Sequence, residues 1–165
     1  MRRFVCLIFA LCLTGTAAAD SARSSAADTD FVRKASSGNL TEIALGKLAA
    51  DQASSDDVKK YAARMVVDHT QRNEQLGKLA GSKGIQIATA PDIAQQQDID
   101  RLKGLDGAAF DRAYSDLMVR SHKLTTGLYE LEATKGEDTE IRAFARDTLP
   151  VLREHEKLAD SLPPF

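Results

Sequence analysis

Apolar residues in this chain recur at intervals of three, four and seven, with almost no alternation of period two. Val58, Ala62, Met65, His69, Leu76 and Leu79 form one such stripe. Phe110, Tyr114, Met118, His122, Thr125 and Tyr129 form a second, and Ile141, Phe144, Ala145, Leu152, His155 and Leu158 a third. The short Ile85-Gln86-Ile87 is the one strand-like alternation, and β-branched residues are sparse. The pattern predicts an all-α chain.

Caps and breakers divide it. Asp30, just before Phe31, is a candidate N-cap for a first helix reaching about Ala53. Ser54 or Ser55 caps a second helix, with Ser54-Ser55-Asp56-Asp57 resembling a capping box built on Asp, and that helix stops near Gly84. Thr89-Ala90-Pro91-Asp92 opens a short helix through about Lys103. A third long helix runs from about Ala108 to Thr134, and Lys135-Gly136-Glu137-Asp138 turns the chain into a fourth. Pro150 inside that last helix removes a backbone donor, so a kink is expected there. Tight first and last turns make two antiparallel hairpins. The stretch between them, 84–107, is long enough to run the length of a bundle. The expected fold is a ferritin-like four-helix bundle over residues 30–162, with a long second connection containing a short helix. Residues 20–29, small and polar, read as a flexible lead-in.

Residues 1–19 read as a signal peptide. Arg2 and Arg3 supply the positive start, Phe4 to Leu13 the apolar stretch, and Ala17-Ala18-Ala19 the small residues before a cleavage point after Ala19. That stretch is about half as long as a bilayer span requires, and no later segment is long and apolar enough. Val5 before Cys6 and Leu11 before Cys12 leave no site for a lipid anchor. Both cysteines fall inside the signal, so thiolate chemistry is excluded from the mature chain. Losing Arg2 and Arg3 takes the formal charge from −2 to −4. A mildly acidic chain without a basic face is not a nucleic-acid binder. The expectation is a periplasmic or secreted protein with no transmembrane segment after cleavage; no sequence feature names a protein partner.

The three histidines constrain function most. Each lies on the apolar stripe of a different helix. Glu42 is about a dozen residues before the Ser54-Ser55 turn and His69 about fourteen after it, which places them level within about one turn. His122 stands about fourteen residues before Gly136 and His155 about nineteen after, so His155 is expected roughly one turn below the others. Glu42, His69, His122 and His155 are therefore candidate metal ligands.

Tyr61-x-x-x-Met65-Val66-x-x-His69 and Tyr114-x-x-x-Met118-Val119-x-x-His122 also match at identical spacing. This makes Met65, Met118, Tyr61 and Tyr114, together with Asp68, candidate supporting residues around the ligands. Thioether with imidazole suits copper; imidazole with carboxylate suits zinc or iron. A structural reading stands beside this one. Methionine near a polar core residue fills gaps, and buried histidines can organise a core by hydrogen bonding alone. Val66, Val119 and Leu152 stand where the Glu-x-x-His pairs of a di-iron centre would need glutamate. With no phosphate loop and no nucleophile elbow either, the sequence leans away from an enzyme without deciding the point.

Together these motifs resemble a known family. Glu42-Ile43-Ala44-Leu45-Gly46-Lys47-Leu48-Ala49, Met65-Val66-Val67-Asp68-His69, Gly107-Ala108-Ala109-Phe110-Asp111-Arg112-Ala113-Tyr114, Met118-Val119, His122, Leu149-Pro150 and His155 are similar to those of the bacterial "domain of unknown function 4142" family. The resemblance spans about Asp30 to Leu162. It implies an exported, ferritin-like helical bundle and no particular activity. One departure is Ser121, where the family usually places Asp before the second histidine. Three functions stand as expectations, the first two foremost: a metal- or small-ligand-binding module; a non-catalytic envelope or stress-related protein whose histidines form a core hydrogen-bond network; and a redox or hydrolytic enzyme, which needs an open cleft beside the histidines.

Overall fold

The computed structural model of the chain describes residues 24–163. They form five helices: α1 (Ala26–Gln52), α2 (Asp56–Ser82), α3 (Ile93–Lys103), α4 (Gly107–Lys135) and α5 (Thr139–Asp160), with no strand among the described residues. The expected signal peptide, residues 1–19, lies outside the described residues.

α1 starts earlier than its sequence suggests. Ser25 caps it and Asp28 reciprocates, a capping box in which each side chain takes the other residue's backbone N–H. The lead-in expected over 20–29 is therefore corrected: from Ala26 onward it is helix. The cause is tertiary. The fully buried Asp28 carboxylate also accepts from the backbone N–H groups of Glu137 and Asp138, at 2.9 and 3.1 Å, and so ties α1 to the α4–α5 turn.

At the other end of the bundle, Ser55 caps α2 by accepting from Val58 N, which leaves no acidic partner for a reciprocal box. Ser54 turns outward instead. Its hydroxyl and amide, with the Ser55 amide, all donate to the Asp111 carboxylate in the first turn of α4. α3 is capped by Asp92 with Gln95 in a full box, as the Pro91-Asp92 signal implies. Pro150 lies inside α5, which continues on both sides of it.

These ties fix the topology. The start of α1 and the end of α2 lie with the α4–α5 turn, through Asp28 and through Lys83, whose ammonium pairs with Asp138 and Glu140. The α1–α2 turn lies with the start of α4, through Asp111. The connection from α2 to α4 must then traverse the whole bundle, and α3 is its middle, running along α1. Ser37 meets Asp92 and Gln95 at one end of that run, and Gln52 donates to the Lys103 carbonyl at the other. Each long helix packs antiparallel to both neighbours, in the ring order α1, α2, α5, α4. This is the single-crossover connectivity of ferritin-like bundles.

The core is in two parts. Leu45, Val58, Met65, Phe110, Tyr114 and Met118 lead one cluster near the α1–α2 turn. Phe31, Leu76, Tyr129, Ile141 and Leu152 lead the other, near the α4–α5 turn. Between them every long helix interrupts its apolar stripe with a polar residue: Asn39 and Glu42 in α1, His69 in α2, His122 in α4 and His155 in α5, all buried. Gly46 lets α1 approach α2 closely just beyond this layer, since a methyl there would stand 2.6 Å from Val66 Cγ2 and 2.8 Å from the Ala62 carbonyl oxygen.

Candidate metal centre

The polar midplane gathers the three imidazoles. His122 and His155 are each 1% exposed and His69 4%. Their ring centroids lie 5.8 Å (His69–His122), 5.4 Å (His69–His155) and 5.5 Å (His122–His155) apart. His155 is thus a full member of the layer. The residue count along α5 set it about a turn lower; the ring distances correct that, and its bond to Asp68 ties it to α2 beside His69.

Hydrogen bonding sorts the ring nitrogens. His69 Nδ1 lies 2.9 Å from Asn39 Oδ1, His122 Nδ1 lies 3.0 Å from the Met118 carbonyl oxygen, and His155 Nε2 lies 2.8 Å from Asp68 Oδ2. A carbonyl or carboxylate oxygen only accepts, so each of these nitrogens carries the proton and donates it outward. The other nitrogen of each neutral ring then keeps a lone pair. These nitrogens, His69 Nε2, His122 Nε2 and His155 Nδ1, are buried and have no hydrogen-bond partner. One ligand nitrogen from each ring can be chosen so that all three lie within 4.8 Å of one another. Imidazoles fixed by an acceptor behind and free in front are how proteins present histidine to a metal.

Burial opposes a charge on two of the rings, His69 and His155. Burial, then repulsion from His122 and His155, holds His69 well below the ordinary histidine range. Burial also lowers His155, against the pull of its bond to Asp68. For Asp68 burial acts to raise the carboxyl, but hydrogen bonds from His155 and Arg64 outweigh it and hold it low.

The remaining expected residues fall into distinct places. Glu42 is buried; one carboxylate oxygen accepts from the Ser121 hydroxyl at 2.7 Å and the other has no partner. It lines a cavity of about 330 Å³ together with Asn39, His69 and His122, but the cluster of close ligand atoms contains the three imidazoles and no carboxylate. Ser121, the departure noted in the sequence, is thus a donor to Glu42. Met65 and Met118 belong to the apolar cluster beside the layer, and Met118 reaches His122 through its backbone carbonyl. Tyr61 Oη is 3.4 Å from His122 Nδ1. The Tyr114 ring stacks on Phe110, and its hydroxyl is buried without a partner. Burial, with the nearby Glu42 charge, pushes both phenols up, so both stay protonated.

Sequence reasoning missed Asn39. Its signal was available: it precedes Glu42 by one helical turn and interrupts the same apolar face between Ala35 and Leu45.

A four-helix bundle with one long crossover and a buried three-histidine midplane defines the class. The chain belongs to the family described as domain of unknown function DUF4142, whose model matches residues 13–162. Among solved structures, a DUF305 fragment from Deinococcus radiodurans is similar at a TM-score of 0.71 and 14% identity, over 83% of this chain and 95% of that one. CopM in its Cu(I)-bound form is similar at a TM-score of 0.68 and 17% identity, over 81% of this chain and 92% of that one. CopM in its Cu(II)-bound form gives a TM-score of 0.65 and 16% identity, over 81% and 93%. At such identities the likeness is one of fold. No match was found among curated proteins. No helix among the described residues is long and apolar enough to cross a membrane.

Proposed function

We propose that this protein is an exported, periplasmic metal-binding module that holds one transition-metal ion through His69 Nε2, His122 Nε2 and His155 Nδ1. The observation that carries the reading is the set of three lone pairs: buried, unpartnered, gathered from three helices, each on a ring whose other nitrogen is anchored. Leaving three buried acceptors unsatisfied costs on the order of 1–3 kcal/mol each, and coordination of one ion offsets all three at once. Bonds from a metal to imidazole nitrogen of about 2.0–2.1 Å would draw the rings somewhat closer.

Neutral imidazoles suit copper, zinc and iron, and copper(II) stands highest of these in affinity for a nitrogen site. The copper-bound state of the structurally similar CopM agrees with that ranking. The alternative, a purely structural histidine network, is disfavoured because these rings hydrogen-bond outward to Asn39, Met118 and Asp68. Their other nitrogens are left without partners. Calorimetric titration of the metal-free protein with copper(II) and zinc(II) tests the proposal. It expects one site per chain, abolished in a His69→Gln, His122→Gln double variant that remains folded. Binding that survives in that variant contradicts it.

A further inference from the structure

Away from the histidines, the α4–α5 end of the bundle buries three carboxyl groups. Asp28, Glu132 and Asp138 are 0%, 5% and 9% exposed. Two of them are well supplied with donors. Asp138 pairs with the Lys83 ammonium at 2.8 Å and accepts from the Ser24 hydroxyl at 2.9 Å and from the backbone N–H groups of Glu140 and Ile141. Asp28 accepts from the backbone N–H groups of Ser25, Glu137 and Asp138 at 2.8, 2.9 and 3.1 Å. Glu132 differs, because its Oε1 is buried without a partner. Its carboxyl is folded back over Gly136, where an added methyl would stand 2.8 Å from the carboxyl carbon.

Burial first, then the Asp28 carboxyl of α1 and the Asp138 charge beside α5, oppose ionisation of Glu132. Arg142 of α5 acts the other way, but its guanidinium donates to the Gly136 carbonyl at 2.8 Å. At the end of α2, Lys83 is engaged by Asp138 and Glu140. For Asp28 burial acts to raise the carboxyl, but hydrogen bonds from Ser25 and Glu137 outweigh it, so the proton resides on Glu132. Two neighbouring carboxyls out of water are stable together only while one is protonated. Once both are charged, one must move. Glu132 stands in the last turn of α4, which the Gly136 amide closes onto the Glu132 carbonyl at 2.8 Å. Asp28 stands in the first turn of α1, a helix end that opens at less cost. Further on, Phe31 packs edge-on against Tyr129 with ring centroids 4.9 Å apart, which halts the opening there. We propose that Asp28 and Glu132 form a pH-operated latch: protonated Glu132 holds residues 24–28 against the α4–α5 turn, and loss of that proton releases them.

Nitrogen-15 NMR of the metal-free protein, from about pH 5.5 to 8.5, tests the latch. The heteronuclear NOEs of residues 24–28 should fall from helix-interior values to those of a mobile chain end, with a midpoint at about pH 7. The amides of Glu137 and Asp138, which lose their acceptor, should shift with the same midpoint. The Phe31 amide should stay rigid throughout. Glu132→Gln is uncharged at every pH and can still donate to Asp28, so it should keep residues 24–28 ordered across the range. Carboxyl carbon shifts follow Glu132 itself in the parent. Its titration with residues 24–28 still ordered overturns the proposal and needs no variant. Loosening of residues 24–28 that Glu132→Gln does not suppress overturns it as well, because another group then drives the release.

Discussion

His155 Nε2 lies 2.8 Å from Asp68 Oδ2, joining α5 to α2 across the bundle midplane. Asp68 is adjacent in sequence to His69, yet the two side chains diverge by about 100° around the helix, so the carboxylate serves the histidine of another helix. Arg64, one turn earlier, holds the same carboxylate at 3.2 Å. A single pair of residues, Asp68-His69, therefore supplies one ring to the site and the anchor for a second. Asp68→Ala should cut metal affinity by about ten- to a hundredfold, the usual effect of removing an outer partner of a ligand. Asp68→Asn, which can still accept from His155, should lose less. Competition titration against a chromophoric chelator separates the two.

Acidification should weaken the metal-free protein through the histidines. His69 and His155 have lowered proton affinity when folded, so the unfolded chain binds more protons below its histidine pKa of about 6.5. Stability contributed by these rings is present above that pH and lost as the pH falls below it. Chemical denaturation from pH 8 to 5 should show the decline, and His69→Gln should flatten it. Ion release should follow the same direction, because protons compete for the same lone pairs.

The α4–α5 end titrates in the opposite sense. Glu132 is pushed up to about 7 by burial first, then by the neighbouring Asp28 carboxyl and the Asp138 charge. Folded protein then holds a proton that the unfolded chain releases near 4.5, so this group's contribution is lost as the pH rises from about 4.5 to 7. Glu132→Gln should raise stability at pH 8 relative to the parent and make little difference near pH 4. At the acid extreme Asp138 dominates. Burial acts to raise its carboxyl, but hydrogen bonds from Lys83, Ile141, Ser24 and Glu140 hold it at about 2, so its contribution disappears only as the pH falls from about 3.8 towards 2.

Two glycines should respond in opposite directions. Gly46→Ala forces a methyl against Val66 and the Ala62 carbonyl, separating α1 from α2 next to the histidine layer, and should cost about 1–3 kcal/mol. Gly127, within α4, has nothing within 4 Å of the point where an added methyl would stand, so Gly127→Ala should stabilise by up to about 1 kcal/mol. Urea denaturation of the two variants gives both signs.

Much of this was legible in the sequence because helical periodicity is a local property. The stripes that place His69, His122 and His155 inward also place Met65, Leu76, Tyr129 and Leu152 there, and the same residues form the two apolar clusters in the structure. The length of 84–107 sufficed for the crossover. What escaped depends on distant partners. Asp28 starts α1 early because its acceptors are filled from residues 109 and 110 positions away. Asn39 is legible as a polar break in the apolar face of α1 one turn before Glu42, but its bond to His69, thirty residues on, is not. His155 is bonded to Asp68 and lies level with His69, contacts between helices that residue counting from a turn does not capture.

X-ray absorption at the copper edge of the copper-loaded protein tests the central claim most directly. Three imidazole nitrogens at about 2.0 Å are expected around one copper per chain, with at least one imidazole lost in His122→Gln. A first shell built from fewer imidazoles, or one that His122→Gln leaves unaltered, would contradict it.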